Sequence, residues 1–228
     1  MKFTNFFTLC ILFLGQCVMA QEKLPTSTES HMFWQPETKI TIDDYQGNPN
    51  PEVEKINNKY GIAASSSVGI WSVLDIPKRK RDRLRKFEKV YIAPAFEKTT
   101  SYYTKRDTLE IAKQNLYFDI CEVCARIARK MFSELQSETN STGIISMEYT
   151  SVINKVQALK KQMFNQYFRD VFIDKKAGAF DAWKKEVKEM LDENKEWATT
   201  PKDCYRMVIK QPIDKDYIMS PHLYGELN

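Results

Sequence analysis

Histidine is nearly missing from this 228-residue chain, which has only His31 and His222. Two imidazoles this far apart in sequence offer no cluster for a metal, and nothing positions either beside Cys121, Cys124 or Cys204 as the base of a nucleophile pair. Glycine is scarce as well. The seven glycines are scattered, which excludes a glycine-rich phosphate loop. Beyond the amino terminus no run is apolar enough to cross a bilayer, and no internal repeat is present. A formal net charge of +4 gives no global field for nucleic acid, and aromatic residues are not interleaved with the basic run described below. The paired carboxylates Asp43 with Asp44, and Asp192 with Glu193, fall at expected turns and helix ends, where solvated charge is the default.

What the chain does have begins with an export signal. Lys2, the apolar run from Phe6 to Gly15, and Val18-Met19-Ala20 form the three parts of a secretory signal peptide over residues 1–20, with cleavage expected after Ala20. The apolar run is too short for a stable anchor, and Gln16 before Cys17 disfavours a lipoprotein box. The remaining length suits a single domain, expected over 21–198, in a periplasmic or extracellular setting. Residues 199–228 hold three prolines and no clear period, and are expected to form an irregular tail. Cys121 and Cys124 sit mid-helix, where packing is the expected role and a bridge from one of them to Cys204 the alternative.

The apolar residues Leu109, Leu116, Ile120, Val123, Ile127 and Met131 recur at spacings of three and four, which predicts a long helix capped near Asp107 and Thr108. Lys113 falls inside its stripe and Tyr117, one turn on, at its edge. A lysine there either snorkels or pairs with Glu110, or else the stripe lines a cleft at this level. Two further helices are expected, from about Met147 to Asp174 and after Gly178. Strand-like stretches precede them at Lys39–Ile42, Ile62–Leu74 and Val90–Phe96, broken by Gly47, Pro49, Pro51 and the loop around Pro77. Strands first and helices afterwards predict an α+β domain, a small antiparallel N-terminal sheet packed on a layer of about three long helices.

The run KQNLYFDICEVCARIARKM over Lys113–Met131 resembles the central helix of the DUF922 family, secreted bacterial proteins described as zinc-dependent proteases with a pattern like HEQxHFDIAExxAR. YIAPAFEKTTSYYTKRDTLEIAK before it and the opening WQPETKITIDDYQGNP are similar to the family's preceding elements, and Gln162–Lys175 followed by Trp183 is a loose match to a later run. In that match Tyr167 is kept and Ile173 stands about where the family has a histidine. The resemblance implies a zincin-like placement of the central helix, but Lys113, Gln114 and Tyr117 occupy the two zinc-ligand positions and the general-base position. A fixed cation repels a dication, a phenol stays protonated near neutral pH, and an amide accepts no proton. The expectation is a pseudo-enzyme with no metal and no cofactor, holding a ligand or protein of the cell envelope in a cleft near Glu110, Asp119 and Tyr167. The alternative is a hydrolase with zinc-independent chemistry around Lys113, Tyr117 and Glu110.

One further segment stands out. Lys78, Arg79, Lys80, Arg81, Arg83, Arg85 and Lys86 concentrate positive charge between two predicted strands, and should project as a hairpin tip. Such a tip is either a solvated loop that keeps a sheet edge from aggregating or a contact for an anionic surface.

Overall fold

The computed structural model describes the backbone of residues 24–226 and the side chains through residue 221, so the expected leader lies outside the described residues. Among these the fold is α+β. Strands β1 (His31–Phe33), β2 (Ala64–Pro77), β3 (Lys89–Tyr103) and β4 (Tyr217–Glu226) form one antiparallel sheet in the order β1-β3-β2-β4. Alternation along β2 and β3 divides the core. Ile70, Leu74 and Ile92 point to the main helical layer, whereas Val73, Tyr91, Ala93 and Ala95 point to the opposite face.

The helical layer consists of α2 (Thr108–Thr139), α3 (Ile144–Phe168) and α4 (Ala179–Glu193), with α1 (Pro51–Tyr60) before β2. Asp107 starts α2, its carboxylate accepting from the backbone N–H groups of Leu109 (2.9 Å) and Glu110 (3.2 Å). The helix then carries Leu116, Ile120, Cys121, Val123, Cys124 and Phe132 into the main core. Leu109 is an exception to the predicted stripe, being 56% exposed at the first turn. The second expected helix ends earlier as an α-helix than predicted: after Phe168 the chain widens into a π-helical turn, Arg169–Ile173.

Three local expectations are corrected. Lys39–Ile42 is not a strand, because Asp44 accepts from both the backbone N–H and the hydroxyl of Thr41 (each 2.9 Å) and closes a 3-10 turn at Ile42–Asp44 in place of ladder bonds. The stretch around Pro51 is not simply a break but a helix. Proline lacks only an N–H that the first turn leaves unused, and Asn50 caps the N–H groups of Glu52 and Val53. The segment after residue 198 is not an irregular tail. Thr200 and Asp203 form a capping box, Pro201 opens α5 (Pro201–Ile209), and β4 then pairs with β2. Helix α5 places Cys204 and Met207 against the sheet face that α2 leaves open, so the domain extends through β4.

Buried charge is held in dense networks. Glu122 of α2 accepts from Arg126 Nε (2.8 Å), Arg129 Nη2 (3.4 Å), the backbone N–H of Thr199 (2.9 Å) and the Thr199 hydroxyl (2.5 Å). Arg129 also donates to the carbonyls of Trp197 and Ile92. On the other sheet face, Asp75 of β2 takes two bonds from Arg206 of α5, at 2.8 and 2.7 Å.

Candidate functional site

Lys113, Gln114 and Tyr117 all lie on the first half of α2, but they do not converge. Residues at i and i+4 normally share a helix face. Here the π-helical turn sends Phe172 against both. The Tyr117 ring stacks on Phe172 at 6.4 Å, and Lys113 Nζ lies over the same ring at 5.8 Å. Tyr117 meets Phe164 and Tyr167 edge-on, each at 4.8 Å. The result is two cavities. Glu110 and Lys113 line one of about 390 Å³ with Tyr60, Val171 and Lys175, whereas Gln114 and Tyr117 line another of about 310 Å³.

The second cavity is chemically uniform. Val53, Ile56, Ile62, Val68, Phe164 and Phe168 supply its apolar wall, and Asn57, Ser65, Ser66, Gln114 and Asn165 its neutral polar groups. Among the described residues Tyr117 is its only ionisable lining residue, and burial pushes that phenol far above its ordinary range, with the charge of Glu110 adding to the effect. Gln114 accepts from the backbone N–H of Ser66 at 3.2 Å, and the Ser66 hydroxyl bonds that of Tyr45 at 2.7 Å, which fixes the polar rim. Ile56 stands half exposed at the mouth.

In the first cavity Glu110 is buried, with Oε2 at 3.8 Å from Lys113 Nζ and Oε1 without a hydrogen-bond partner. Burial raises its carboxyl above the ordinary value, against the pull of Lys113 and a hydrogen bond with Gln114. The lysine therefore reaches an acid one turn back, with a quarter of its side chain exposed.

The expected cleft of Glu110, Asp119 and Tyr167 is not assembled. Asp119 lies on a different face, accepting from Trp34 Nε1 at 2.9 Å, and burial raises its carboxyl. Tyr167 is a core residue. Its ring packs on Phe172 and Trp183, and its hydroxyl donates to the Lys113 carbonyl at 2.8 Å. Ile173 ends the π-helical turn, partly exposed. The residues at the degenerate motif do not fit a zinc ion: Lys113 is engaged as a cation, Gln114 is committed to Ser66, and Tyr117 is packed among rings that oppose its ionisation.

The basic residues do form the tip of the β2–β3 hairpin, around a 3-10 turn at Lys80–Leu84. Sequence reasoning missed the partition made by Phe172, and the wall that α1 contributes to the neutral cavity. Pro51 after Asn50 was the available signal for α1, whereas a π-helical turn has no comparable mark in the sequence. A groove of about 640 Å³ between α3 and α4 contains none of Lys113, Gln114 and Tyr117, though Gln162, Gln166 and Trp183 of the later run line it. Compared with known family models, curated proteins and solved structures, the chain matches none.

Proposed function

We propose that this is an exported, non-catalytic protein of the bacterial cell envelope, a degenerate relative of the DUF922 proteins that binds a small neutral ligand beside Gln114 and Tyr117. The observation that carries the reading is the lining of that cavity, which has an apolar wall, a rim of amides and hydroxyls, and, among the described residues, Tyr117 as its only ionisable group. General acid–base and metal chemistry both need groups that change or share charge near neutral pH, and this lining offers none. Its size and mixed lining suit an apolar body with one or two hydrogen-bonding groups. The hydrolase alternative requires Lys113, Glu110 and Tyr117 to act together, and the partition by Phe172 argues against it. In the same proposal the basic hairpin tip meets an anionic surface of the envelope.

The test uses the chain starting at Gln21 and the neutral dye Nile red. Dye fluorescence should rise saturably, and Ile56→Glu, which places a charge at the half-exposed mouth, should abolish the rise without moving the thermal midpoint. Equal uptake by wild type and Ile56→Glu would remove the cavity from consideration. Hydrolysis of a casein substrate that disappears in Tyr117→Phe would establish the hydrolase alternative instead.

A further inference from the structure

We infer that the β2–β3 hairpin tip is a bilayer anchor, with Leu84 as an inserting residue inside a collar of cations that docks on anionic phospholipid. The inference rests on the reading of the tip as a contact for an anionic surface, and it names that surface. Leu84 is 82% exposed, the most exposed of the large apolar side chains among the described residues, and Phe87 nearby is 39% exposed. A leucine this open in a water-facing loop contributes nothing to the core. Around it Lys78, Arg79, Lys80, Arg81, Arg83 and Arg85 are all exposed.

The cations are available to an outside partner. The side chains of Lys78, Arg79, Lys80 and Arg85 make no hydrogen bond or ion pair among the described residues, while the acids of the region are already engaged. Asp82 lies 3.8 Å from Arg81, Asp216 pairs with Lys86 at 2.8 Å, and Asp214 pairs with Lys89 at 2.7 Å. The tip is also presented firmly. Arg83 Nε donates to the Pro77 carbonyl at 3.0 Å, the Lys78 N–H donates to the Asp216 carbonyl at 2.8 Å, and the Tyr217 hydroxyl bonds the Phe87 carbonyl at 2.9 Å. An acidic polysaccharide would satisfy the cations but leave Leu84 in water. A bilayer satisfies both, since headgroups take the cations and the acyl boundary takes the leucine.

The experiment is sedimentation with phosphatidylcholine vesicles, with and without phosphatidylglycerol, on the chain starting at Gln21. Wild type should bind only the phosphatidylglycerol vesicles and be released by salt. Leu84→Ser should weaken binding about tenfold, as expected for one lost buried apolar side chain. Replacing Arg79, Lys80 and Arg85 together by Ser should weaken it roughly a hundredfold, at about fivefold per near-surface cation. Both variants should melt like wild type, because the side chains lie outside the core. Leu84→Trp should shift its emission to the blue on phosphatidylglycerol vesicles. Equal binding by Leu84→Ser with an unshifted Leu84→Trp spectrum would overturn insertion while leaving the anionic contact in place. Failure of wild type on vesicles at low salt, with retention on an anionic polysaccharide, would overturn the bilayer as partner. Failure on both would overturn the surface reading itself.

Discussion

Glu110 and Glu122 lie three turns apart on one helix, both buried, and the protein treats them in opposite ways. Glu122 has hydrogen-bond donors on both oxygens, with two guanidinium groups and Thr199 converging on it. Glu110 has a distant lysine, the Gln114 amide, one unpartnered oxygen and a cavity beside it. A buried carboxylate with donors on both oxygens locks neighbouring elements together, here α2 to the chain leading into α5. One left short of donors is destabilising where it stands, and such groups concentrate where a surface is kept open for something other than packing.

Mutating the satisfied carboxylate should have the largest effect. Glu122→Ala strands Arg126 and Arg129 and frees the Thr199 N–H, and should destabilise by about 3–5 kcal/mol in urea unfolding. A loss below about 1 kcal/mol would mean that the network is ornamental and would erase the contrast. Glu110→Gln should act in the opposite direction, raising stability near neutral pH by about 1 kcal/mol, because a neutral amide is less costly to bury than a carboxylate short of donors.

The pH dependence sharpens the comparison further. Burial raises the Glu110 pKa, so the fold favours its protonated form. That contribution is fully present below the ordinary carboxylate value of 4.5 and is lost as pH rises through the raised folded value. Wild type should therefore lose some stability across that interval, and Glu110→Gln should lose less. Asp119 has a raised pKa of the same sign, so part of the slope should remain in the variant. A slope identical in both proteins would show that Glu110 is paired in solution. The smallest effect is expected from Lys113→Met. With the amine at 3.8 Å and partly exposed, the change should stay within about 1 kcal/mol, and a double-mutant cycle with Glu110 should give a coupling no larger.

The sequence revealed much of the frame and little of the site, for identifiable reasons. Helix α2 was legible because an amphipathic stripe and an aspartate cap speak for themselves over many turns. The basic tip was legible because charge that dense between two strands has nowhere to go but outward. Helix α5 and β4 were missed, since nine residues of helix and a strand held by β2 draw their stability from tertiary partners. Lys113 stands out from the spacing alone, as a cation inside an apolar stripe, and Tyr117 through the resemblance. Their separation was hidden, because it depends on Phe172, more than fifty residues later, arriving through a π-helical turn.

Strand β2 is also a ruler. Ala64, Ser65 and Ser66 at its start line the neutral cavity, and Pro77 at its end opens into the basic tip. Fourteen residues at about 3.3 Å each place the two roughly 40 Å apart, several times the roughly 8 Å over which charge is felt at physiological salt. A molecule resting on its tip, with the strand upright, would hold its pocket clear of the ion cloud at the surface below. Ionic strength should then act as a one-way control, detaching the protein from the surface while the filling of the pocket stays the same.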